Sequence, residues 1–237
     1  MRARVEKLAA LQSDVHVWFI RLDVQPVAHE IEWLSSAEQA RAKSFSFIHD
    51  QQRFLASHIG LRRVLAHYLD LLPRDVRFVH SSEGKPMFRG GTIGFNLSHS
   101  RNVALVAVAS GRSVGVDVQH MTPLNNELEL AYQQFSESEI TLLATRSGDE
   151  RRDLFYRLWT CREALLKAAG IGLRRGDAEI ALTCARVAYI KKRPRELIEK
   201  VSLAELSPSE GYAGAVVWPY QSPLQLGQAL LFDAAVL

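Results

Sequence analysis

Three short segments carry side chains whose types and spacing could do chemistry. In the first, from Val114 to Gln119, every second residue is a valine and Asp117 stands between two of them. If this segment is a strand, its valines face the core, and Asp117 and Gln119 project together from the other face. Two oxygen donors on one face could bind a hard cation. The alternative is an exposed strand face with one ordinary aspartate.

The second segment is a predicted helix from Asp149 to Ala169, with Asp149 as the expected N-cap and Gly170 as the expected stop. Glu163 and Lys167 are four residues apart and therefore share one face of this helix. The carboxylate could bind a cation while the ammonium group binds a phosphate at the same site. Alternatively, the two residues form a surface ion pair that contributes about 0.2 to 0.5 kcal/mol.

The third segment, residues 83–100, contains Gly84-Lys85-Pro86 and, further on, Asn96-Leu97-Ser98-His99-Ser100. Ser98 and His99 are adjacent, but neighbouring side chains on a strand point in opposite directions, and no GxSxG elbow is present. They are therefore not a nucleophile and its base. A serine hydroxyl, turn amides and an imidazole can instead bind an anion. A histidine with a purely structural role is the alternative.

The elements that must position these segments follow an α+β pattern. Strands are predicted at 15–22, 77–80, 93–98, 103–109, 114–119, 180–184, 201–206, 212–218 and 230–236, and helices at 36–46, 50–71, 125–134, 136–145 and 149–169. Short connections between 93 and 119 predict an antiparallel meander. Helices followed by strands, twice, predict two α+β halves, 1–112 and 113–237, packed as one body without a residue-level repeat.

Composition excludes several classes of protein. Of the residues, 47% are apolar and 23% are charged, which is typical of a globular chain. The net charge of +3 is too small to indicate nucleic-acid binding. The longest apolar run, residues 103–109, is too short to cross a membrane, and no signal peptide is recognised. Two cysteines without CxxC spacing indicate neither a zinc site nor a disulfide framework. A cytoplasmic location is therefore expected.

Basic residues form two clusters along the chain. The first comprises Arg41, Lys43, Arg53, Arg62 and Arg63, and the second comprises Lys191, Lys192, Arg193 and Arg195. Either cluster could bind a small polyanion, or it could be a solvated surface.

Together, and in this order, the segments resemble the 4'-phosphopantetheinyl transferase superfamily, and most closely its larger, monomeric Sfp-like branch. The likeness covers about residues 41–174. It rests on Arg41, Phe45, Arg53, Gly84-Lys85-Pro86, Phe95 to Ser100, Val114 to Val118, Phe135-Ser136, Glu139, Trp159, Arg162-Glu163-Ala164, Lys167, Gly170, Gly172 and Leu173. The Trp-x-x-Arg-Glu-Ala form is similar to the subgroup that often serves both fatty-acid and secondary-metabolite carriers.

The resemblance implies two similar α+β halves related by a pseudo-twofold axis, with coenzyme A in the cleft between them. It implies that Asp117 and Glu163 bind Mg²⁺ and that Lys167 contacts the pyrophosphate. The remaining contacts to coenzyme A would come from Arg41, Arg53, Lys85, Pro86, Ser98 and His99. Many relatives have a second acid where this chain has Gln119. An amide oxygen can still bind the cation but brings no charge, so weaker metal affinity is expected.

The implied reaction is transfer of 4'-phosphopantetheine from coenzyme A to a serine of an apo acyl or peptidyl carrier protein, with release of 3',5'-ADP. Glu163 is the expected base. Carriers of fatty-acid, polyketide or nonribosomal peptide synthesis could dock on the helices between Leu124 and Leu143, and residues 191–195 could attract an acidic carrier. Two alternatives remain: a coenzyme A-binding module without activity, and an interaction protein for an acidic partner.

Overall fold

The computed structural model describes residues 15–88, 93–110, 113–171, 179–182, 188–197, 200–219 and 229–233. Within these ranges the strands are β1 (Val15–Arg21), β2 (Phe78–His80), β3 (Pro86–Phe88), β4 (Ile93–Ser100), β5 (Val103–Ser110), β6 (Gly115–His120), β7 (Glu179–Leu182), β8 (Ala188–Lys192), β9 (Val201–Leu206), β10 (Tyr212–Pro219) and β11 (Ala229–Asp233). The helices are α1 (Ala28–Ile31), α2 (Ser36–Lys43), α3 (Ile48–Leu69), α4 (Glu127–Gln134), α5 (Glu137–Ala144) and α6 (Gly148–Ala169). The predicted α+β class is confirmed.

The order of elements repeats along the chain. β1, α2 and α3 are followed by strands β2 to β5, and β6, α5 and α6 are followed by strands β7 to β10. The first sheet contains the strand order β1-β5-β4, and the second has the matching order β6-β10-β9. β11 then extends the first sheet by pairing in parallel with β1. The repeated order confirms two similar α+β halves, whereas their boundaries, 1–112 and 113–237, stay a prediction.

A repeat at the level of residues is present as well, contrary to the sequence-based expectation. α2 and α5 both begin with a capping box, in which a serine and the glutamate three residues later satisfy each other's backbone N–H groups. The pairs are Ser35 with Glu38 and Ser136 with Glu139. Each glutamate also pairs with a buried arginine of the following long helix. Glu38 lies 2.6 Å from Arg62, and Glu139 lies 3.4 Å from Arg162. The repeat was missed because each ion pair spans more than twenty residues.

The two sheets pack face to face, and each is covered on its outer face by the long helix of its own half. Leu65 of α3 packs with Trp18 and Val106 of the first sheet. Val116 and Val216 of the second sheet meet Val17 and other residues of the first in a separate cluster. The valines of 114–118 therefore face the core, as predicted. Residues of α6 pack against the opposite face of β10.

The meander prediction was correct for one pair of strands only. β4 and β5 form an antiparallel hairpin, but β6 leaves their sheet and pairs with β10. A strand can pair with one that is distant in sequence instead of with its neighbour. Turn signals depend on local sequence only, so they do not predict which of the two pairings forms. The predictions for 183–184 and 234–236 lie outside the described residues.

Two glycines shape the ends of β6 and α6. A Cβ atom on Gly115 would lie 2.0 Å from the carbonyl oxygen of Ala164, so only glycine allows β6 to approach α6 this closely. Gly170 ends α6 in the left-handed conformation, with φ of 75°, as predicted. The N-cap of α6 is Ser147 and not Asp149, which lies in the first turn. Among the described residues, no helix combines the length and apolar character needed to span a membrane.

Candidate functional site

Asp117 is the centre of a buried polar cluster on β6. Its carboxylate accepts a hydrogen bond from the Ser98 hydroxyl at 2.7 Å and one from the Lys167 ammonium group at 2.6 Å. The side-chain amide of Gln119 donates to the other carboxylate oxygen at 3.3 Å. Asp117 and Gln119 therefore share a face, as their spacing predicted. The cluster joins β4, β6 and α6, and only 1% of Asp117 is exposed.

Lys167 enters this cluster from the last turn of α6. Besides its ion pair with Asp117, the ammonium group donates to the Ser98 hydroxyl at 2.9 Å and to the Val116 carbonyl oxygen at 3.2 Å. The side chain is 28% exposed, so one side of it reaches solvent. Lys167 thus belongs to the buried cluster, and its described ion pair is with Asp117 and not with Glu163.

Glu163 lies one turn before Lys167, and its environment favours a proton or a cation. Its Oε1 atom is buried and has no hydrogen-bond partner. Burial, and next the negative charge of Asp117, raise the pKa of Glu163 to about 7, while Lys167 and Arg162 oppose the shift. A buried carboxylate oxygen without a partner, beside a second carboxylate, costs free energy unless a proton or a metal ion occupies the space.

The residues at this point fit a hard cation. Oxygen atoms of Asp117, Glu163 and Gln119 are the ligand type that Mg²⁺ prefers. Within the described part of the chain, no three His, Cys, Asp or Glu side chains gather around one possible metal position. Asp117, Glu163 and Gln119 are therefore a candidate set of two carboxylates and one amide, since position 119 holds no second acid.

His99 lies next to the cluster on β4 and lines two cavities. Its pKa is lowered, first by burial and then by the positive charges of Lys167 and Arg53. A cavity of about 400 Å³ opens between His99, Arg53 and the residues around Phe47. A second cavity of about 510 Å³ is also lined by His99, together with Arg41 and Pro86. Of the predicted coenzyme A contacts, these four residues border the two cavities.

Arg53 is held in place before any ligand binds. Its guanidinium group donates to the side-chain oxygen of Asn102 at 3.0 and 3.2 Å and to Asp50 at 3.2 Å. Because these partners fix the side chain, little conformational entropy remains to be lost when an anion binds.

Lys85 takes a different place from the one expected. Its ammonium group donates to the carbonyl oxygens of Val114 at 2.9 Å and Lys167 at 2.6 Å, with a longer contact to Ala168 at 3.4 Å. It therefore caps the C-terminus of α6, where a positive charge is favoured by the helix dipole. Lys85 does not line either of the two cavities around His99. A contact with coenzyme A stays a prediction.

Sequence reasoning missed several residues of the larger cavity. Its lining includes His58 and Arg77, neither of which was proposed as a ligand contact, and Arg62, which was named only within a basic cluster that could bind a small polyanion. Arg62 is almost fully buried and lies 5.0 Å above the ring of Phe78. The sequence contained a signal for Arg62, because this arginine lies within the apolar stripe of a predicted helix. An arginine at such a position is expected to be buried and therefore to need a specific partner.

Comparison with known proteins identifies the family. Residues 113–217 match the model of the 4'-phosphopantetheinyl transferase superfamily, and residues 24–111 match that of the 4'-phosphopantetheinyl transferase N-terminal region. Over 217 residues, covering 88% of this chain and 89% of the relative, the chain is 38% identical to 4'-phosphopantetheinyl transferase HetI of Nostoc sp.. The chain belongs to the 4'-phosphopantetheinyl transferase superfamily. The predicted family and the prediction of a transferase are therefore confirmed.

Two further members of the superfamily match smaller parts of the chain. The L-aminoadipate-semialdehyde dehydrogenase-phosphopantetheinyl transferase of Xenopus laevis is 28% identical over 192 residues, covering 72% of this chain and 64% of the relative. 4'-Phosphopantetheinyl transferase Sfp of Bacillus subtilis is 30% identical over 144 residues, covering 60% of this chain and 63% of the relative. The expected likeness to Sfp is thus found.

Proposed function

We propose that this chain transfers the 4'-phosphopantetheine group of coenzyme A to a serine of an apo acyl or peptidyl carrier protein, in the presence of Mg²⁺ and with release of 3',5'-ADP. The observation that carries the proposal is the buried Oε1 atom of Glu163, which has no hydrogen-bond partner and lies on α6 one turn before the lysine of the Asp117–Lys167 ion pair. Membership of the transferase superfamily supports the type of reaction.

Asp117 and Glu163 would hold the Mg²⁺ ion, with the amide oxygen of Gln119 as a neutral third donor. When bound, the ion neutralises negative charge on the pyrophosphate. Gln119 now donates to Asp117 through its nitrogen, so a rotation of its amide group would turn the oxygen toward the same space.

In the proposed reaction, the serine oxygen forms a bond to the β-phosphorus of coenzyme A. The bond from this phosphorus to the bridging oxygen breaks, and 3',5'-ADP leaves with the electron pair. Glu163 accepts the serine proton, because its carboxylate is the base proposed to lie nearest the incoming serine. Lys167 stabilises the negative charge that grows on the leaving phosphate.

The nucleotide part of coenzyme A would occupy the two cavities that His99 lines. Arg53 borders one and Arg41 the other, and each supplies a permanent positive charge. The low pKa of His99 leaves its imidazole neutral near pH 7, so it can donate a hydrogen bond without adding charge. Ser98, which already bonds to Asp117 and Lys167, connects this region with the reacting phosphates.

The carrier protein would dock beside Glu163 on α4 and α5. Tyr132 of α4 is 58% exposed and is the most prominent apolar side chain described there. The basic residues Lys191, Lys192, Arg193 and Arg195 are exposed and would attract an acidic carrier over a distance. The chain is expected to act as a monomer in the cytoplasm, as its resemblance to the Sfp-like branch implied.

The test is the intact mass of a purified apo acyl carrier protein after incubation with coenzyme A, Mg²⁺ and this protein. We expect a mass gain of one phosphopantetheine group, which is lost with EDTA and with Glu163→Ala. Glu150→Ala changes an exposed carboxylate on the same helix and should leave the gain unchanged. Coenzyme A binding without transfer to fatty-acid, polyketide or peptide carriers would contradict the proposal.

A further inference from the structure

β6 is an edge strand whose outer backbone groups are satisfied by side chains. In the described part of the second sheet, β10 is the only strand that pairs with β6. A free strand edge normally exposes a row of N–H and C=O groups, and burying such groups without partners is costly. On β6, Val116 and Val118 are fully buried. Their backbone groups therefore need partners from another part of the molecule.

Three side chains on one face of β4 supply acceptors for the N–H groups. Val116 donates to Asn96 at 2.9 Å, Val118 donates to Ser98 at 3.4 Å, and His120 donates to Ser100 at 3.0 Å. Alternate side chains of β4 thus match alternate amides of β6, in the same order along both strands. We call these three bonds the β4–β6 seam. They connect the two sheets without backbone pairing.

Two lysines complete the outer edge by donating to carbonyl groups. Lys85 donates to the Val114 carbonyl oxygen at 2.9 Å, and Lys167 donates to the Val116 carbonyl oxygen at 3.2 Å. Asp117 stands between Val116 and Val118, whose amides are both held by the seam. The position of the Asp117 carboxylate along β4 is therefore set by the side chains of β4.

We propose that Asn96 and Ser100 are positioning residues for Asp117. Unlike Ser98, neither has a hydrogen bond to the Asp117 carboxylate among those described. They act through the backbone of β6, one on each side of Ser98. Their hydrogen bonds keep β6 in the position along β4 at which the Asp117 carboxylate contacts the Lys167 ammonium group. The expected effect of Asn96 and Ser100 on cation binding and transfer rests on the proposed function. Their expected effect on hydrogen exchange of the β6 backbone does not.

Asn96 contributes more than Ser100 to the positioning of Asp117, because its hydrogen bond to the β6 backbone is more deeply buried. Asn96 is 8% exposed, and its oxygen accepts from a fully buried amide. Ser100 lies at the outer end of β4 and is only half-buried, so solvent can replace its hydroxyl in part. Asn96→Leu keeps the size of the side chain but removes the acceptor, and is the most informative variant.

The experiment combines hydrogen exchange of β6 with titration of Mg²⁺ alone and with steady-state kinetics. For Asn96→Leu we expect faster exchange of peptides that cover β6, and an Mg²⁺ dissociation constant about tenfold higher, as for other residues that orient a metal ligand. We also expect a lower kcat, because Asp117 is then displaced from its position beside Lys167. Ser110→Ala, at the far end of the β4–β5 hairpin, is the control.

Ser100 provides a second, independent variant in case Asn96→Leu does not fold. Ser100→Ala should show the same changes on a smaller scale, and Ser100→Thr, which keeps the hydroxyl, should restore wild-type exchange and Mg²⁺ affinity. A folded Asn96→Leu or Ser100→Ala protein with unchanged β6 exchange and unchanged Mg²⁺ affinity would overturn the inference. Wild-type protein that fails to modify any carrier would instead overturn the proposed function, while the exchange result would still stand.

Discussion

At the scale of single residues, the site holds two titratable groups whose charged forms are disfavoured by burial. The pKa of Glu163 is raised to about 7, and that of His99 is lowered. At pH 7, with neither cation nor phosphate bound, Glu163 is therefore about half protonated and the His99 imidazole is mostly neutral. Binding of a cation would release a proton from Glu163, so the affinity for the cation should increase as the pH rises through 7.

The raised pKa of Glu163 also predicts how stability depends on pH without metal. Because the folded pKa of about 7 exceeds the ordinary carboxyl pKa of 4.5, the folded state binds this proton more tightly than the unfolded state. The stabilising effect is complete below pH 4.5 and is lost as the pH rises through 7. Glu163→Gln, which cannot ionise, should therefore melt at a higher temperature than wild type at pH 8 and at a similar temperature near pH 5.

Differential scanning fluorimetry in EDTA between pH 5 and pH 8.5 measures this difference. Glu210→Gln, which changes an exposed carboxylate, is the control and should show no such trend. A melting-temperature difference for Glu163→Gln that does not change with pH would show that Glu163 is not protonated in the folded protein.

Gln119 allows a second prediction at this scale. Gln119→Glu would add a carboxylate to the cation site and would replace the amide that now donates to Asp117. Like charges would then repel one another in the metal-free protein, whereas a bound cation would attract all three. We expect tighter Mg²⁺ binding by calorimetry and a lower melting temperature in EDTA. Equal Mg²⁺ affinity for the two proteins would mean that position 119 does not contribute to the site.

At the scale of elements, the sequence predicted those that depend on local signals. The apolar stripes of α3 and α6, followed by Pro73 and Gly170 respectively, located both long helices to within two residues. The two-residue spacing of Asp117 and Gln119 correctly predicted that they share one face of β6. The four-residue spacing of Glu163 and Lys167 correctly predicted that they share one face of α6. The pairing of β6 with β10 was not predictable, because β10 is about a hundred residues away in sequence. The role of Lys85 as a helix cap depends on the same distant packing.

The contact between β6 and α6 gives a prediction about Gly115. An alanine there would place its Cβ atom 2.0 Å from a carbonyl oxygen and 2.5 Å from an amide nitrogen of α6, neither of which can rotate away. We expect Gly115→Ala to destabilise the fold by more than about 3 kcal/mol, above the usual range for overpacking. Since α6 carries Glu163 and Lys167, activity should be lost as well.

Urea denaturation of Gly115→Ala and Gly84→Ala provides the matched comparison. Gly84 has φ of 81° but no atom within 4 Å of its Cβ position, so alanine there introduces backbone strain alone, about 1 to 2 kcal/mol. A similar loss of stability in the two variants would mean that β6 can move away from α6 at little cost.

At the scale of the whole molecule, the two halves have the same order of elements but contribute different residues to the candidate site. α3 and α6 both have 22 residues, and Arg63 and His67 occupy in α3 the positions that Glu163 and Lys167 occupy in α6. The acid and its neighbouring lysine are thus found only in the second half. Ser98, His99 and Arg53 come from the first half. The proposed site therefore combines residues from both halves.

Lys85 is one of the contacts that hold the halves together, and its loss should differ from the loss of a ligand-binding residue. The ammonium group comes from the first half and caps α6 of the second, so Lys85→Met should leave helix carbonyl groups without this partner. We expect a melting temperature several degrees lower without any ligand, since about 1 kcal/mol corresponds to about 2 to 4 °C in a chain of this size.

Arg53→Ala should affect ligand binding more than stability, in contrast to Lys85→Met. Arg53 borders a cavity, and its partners, Asn102 and Asp50, lie in the first half, so it does not hold the two halves together. The substitution should raise the KM for coenzyme A more than it lowers kcat, with little change in melting temperature. Lys43→Met, which changes an exposed lysine in the last turn of α2, is the control for Lys85→Met. If Lys85→Met keeps the wild-type melting temperature but raises the KM for coenzyme A, Lys85 serves the ligand and not the junction between the halves.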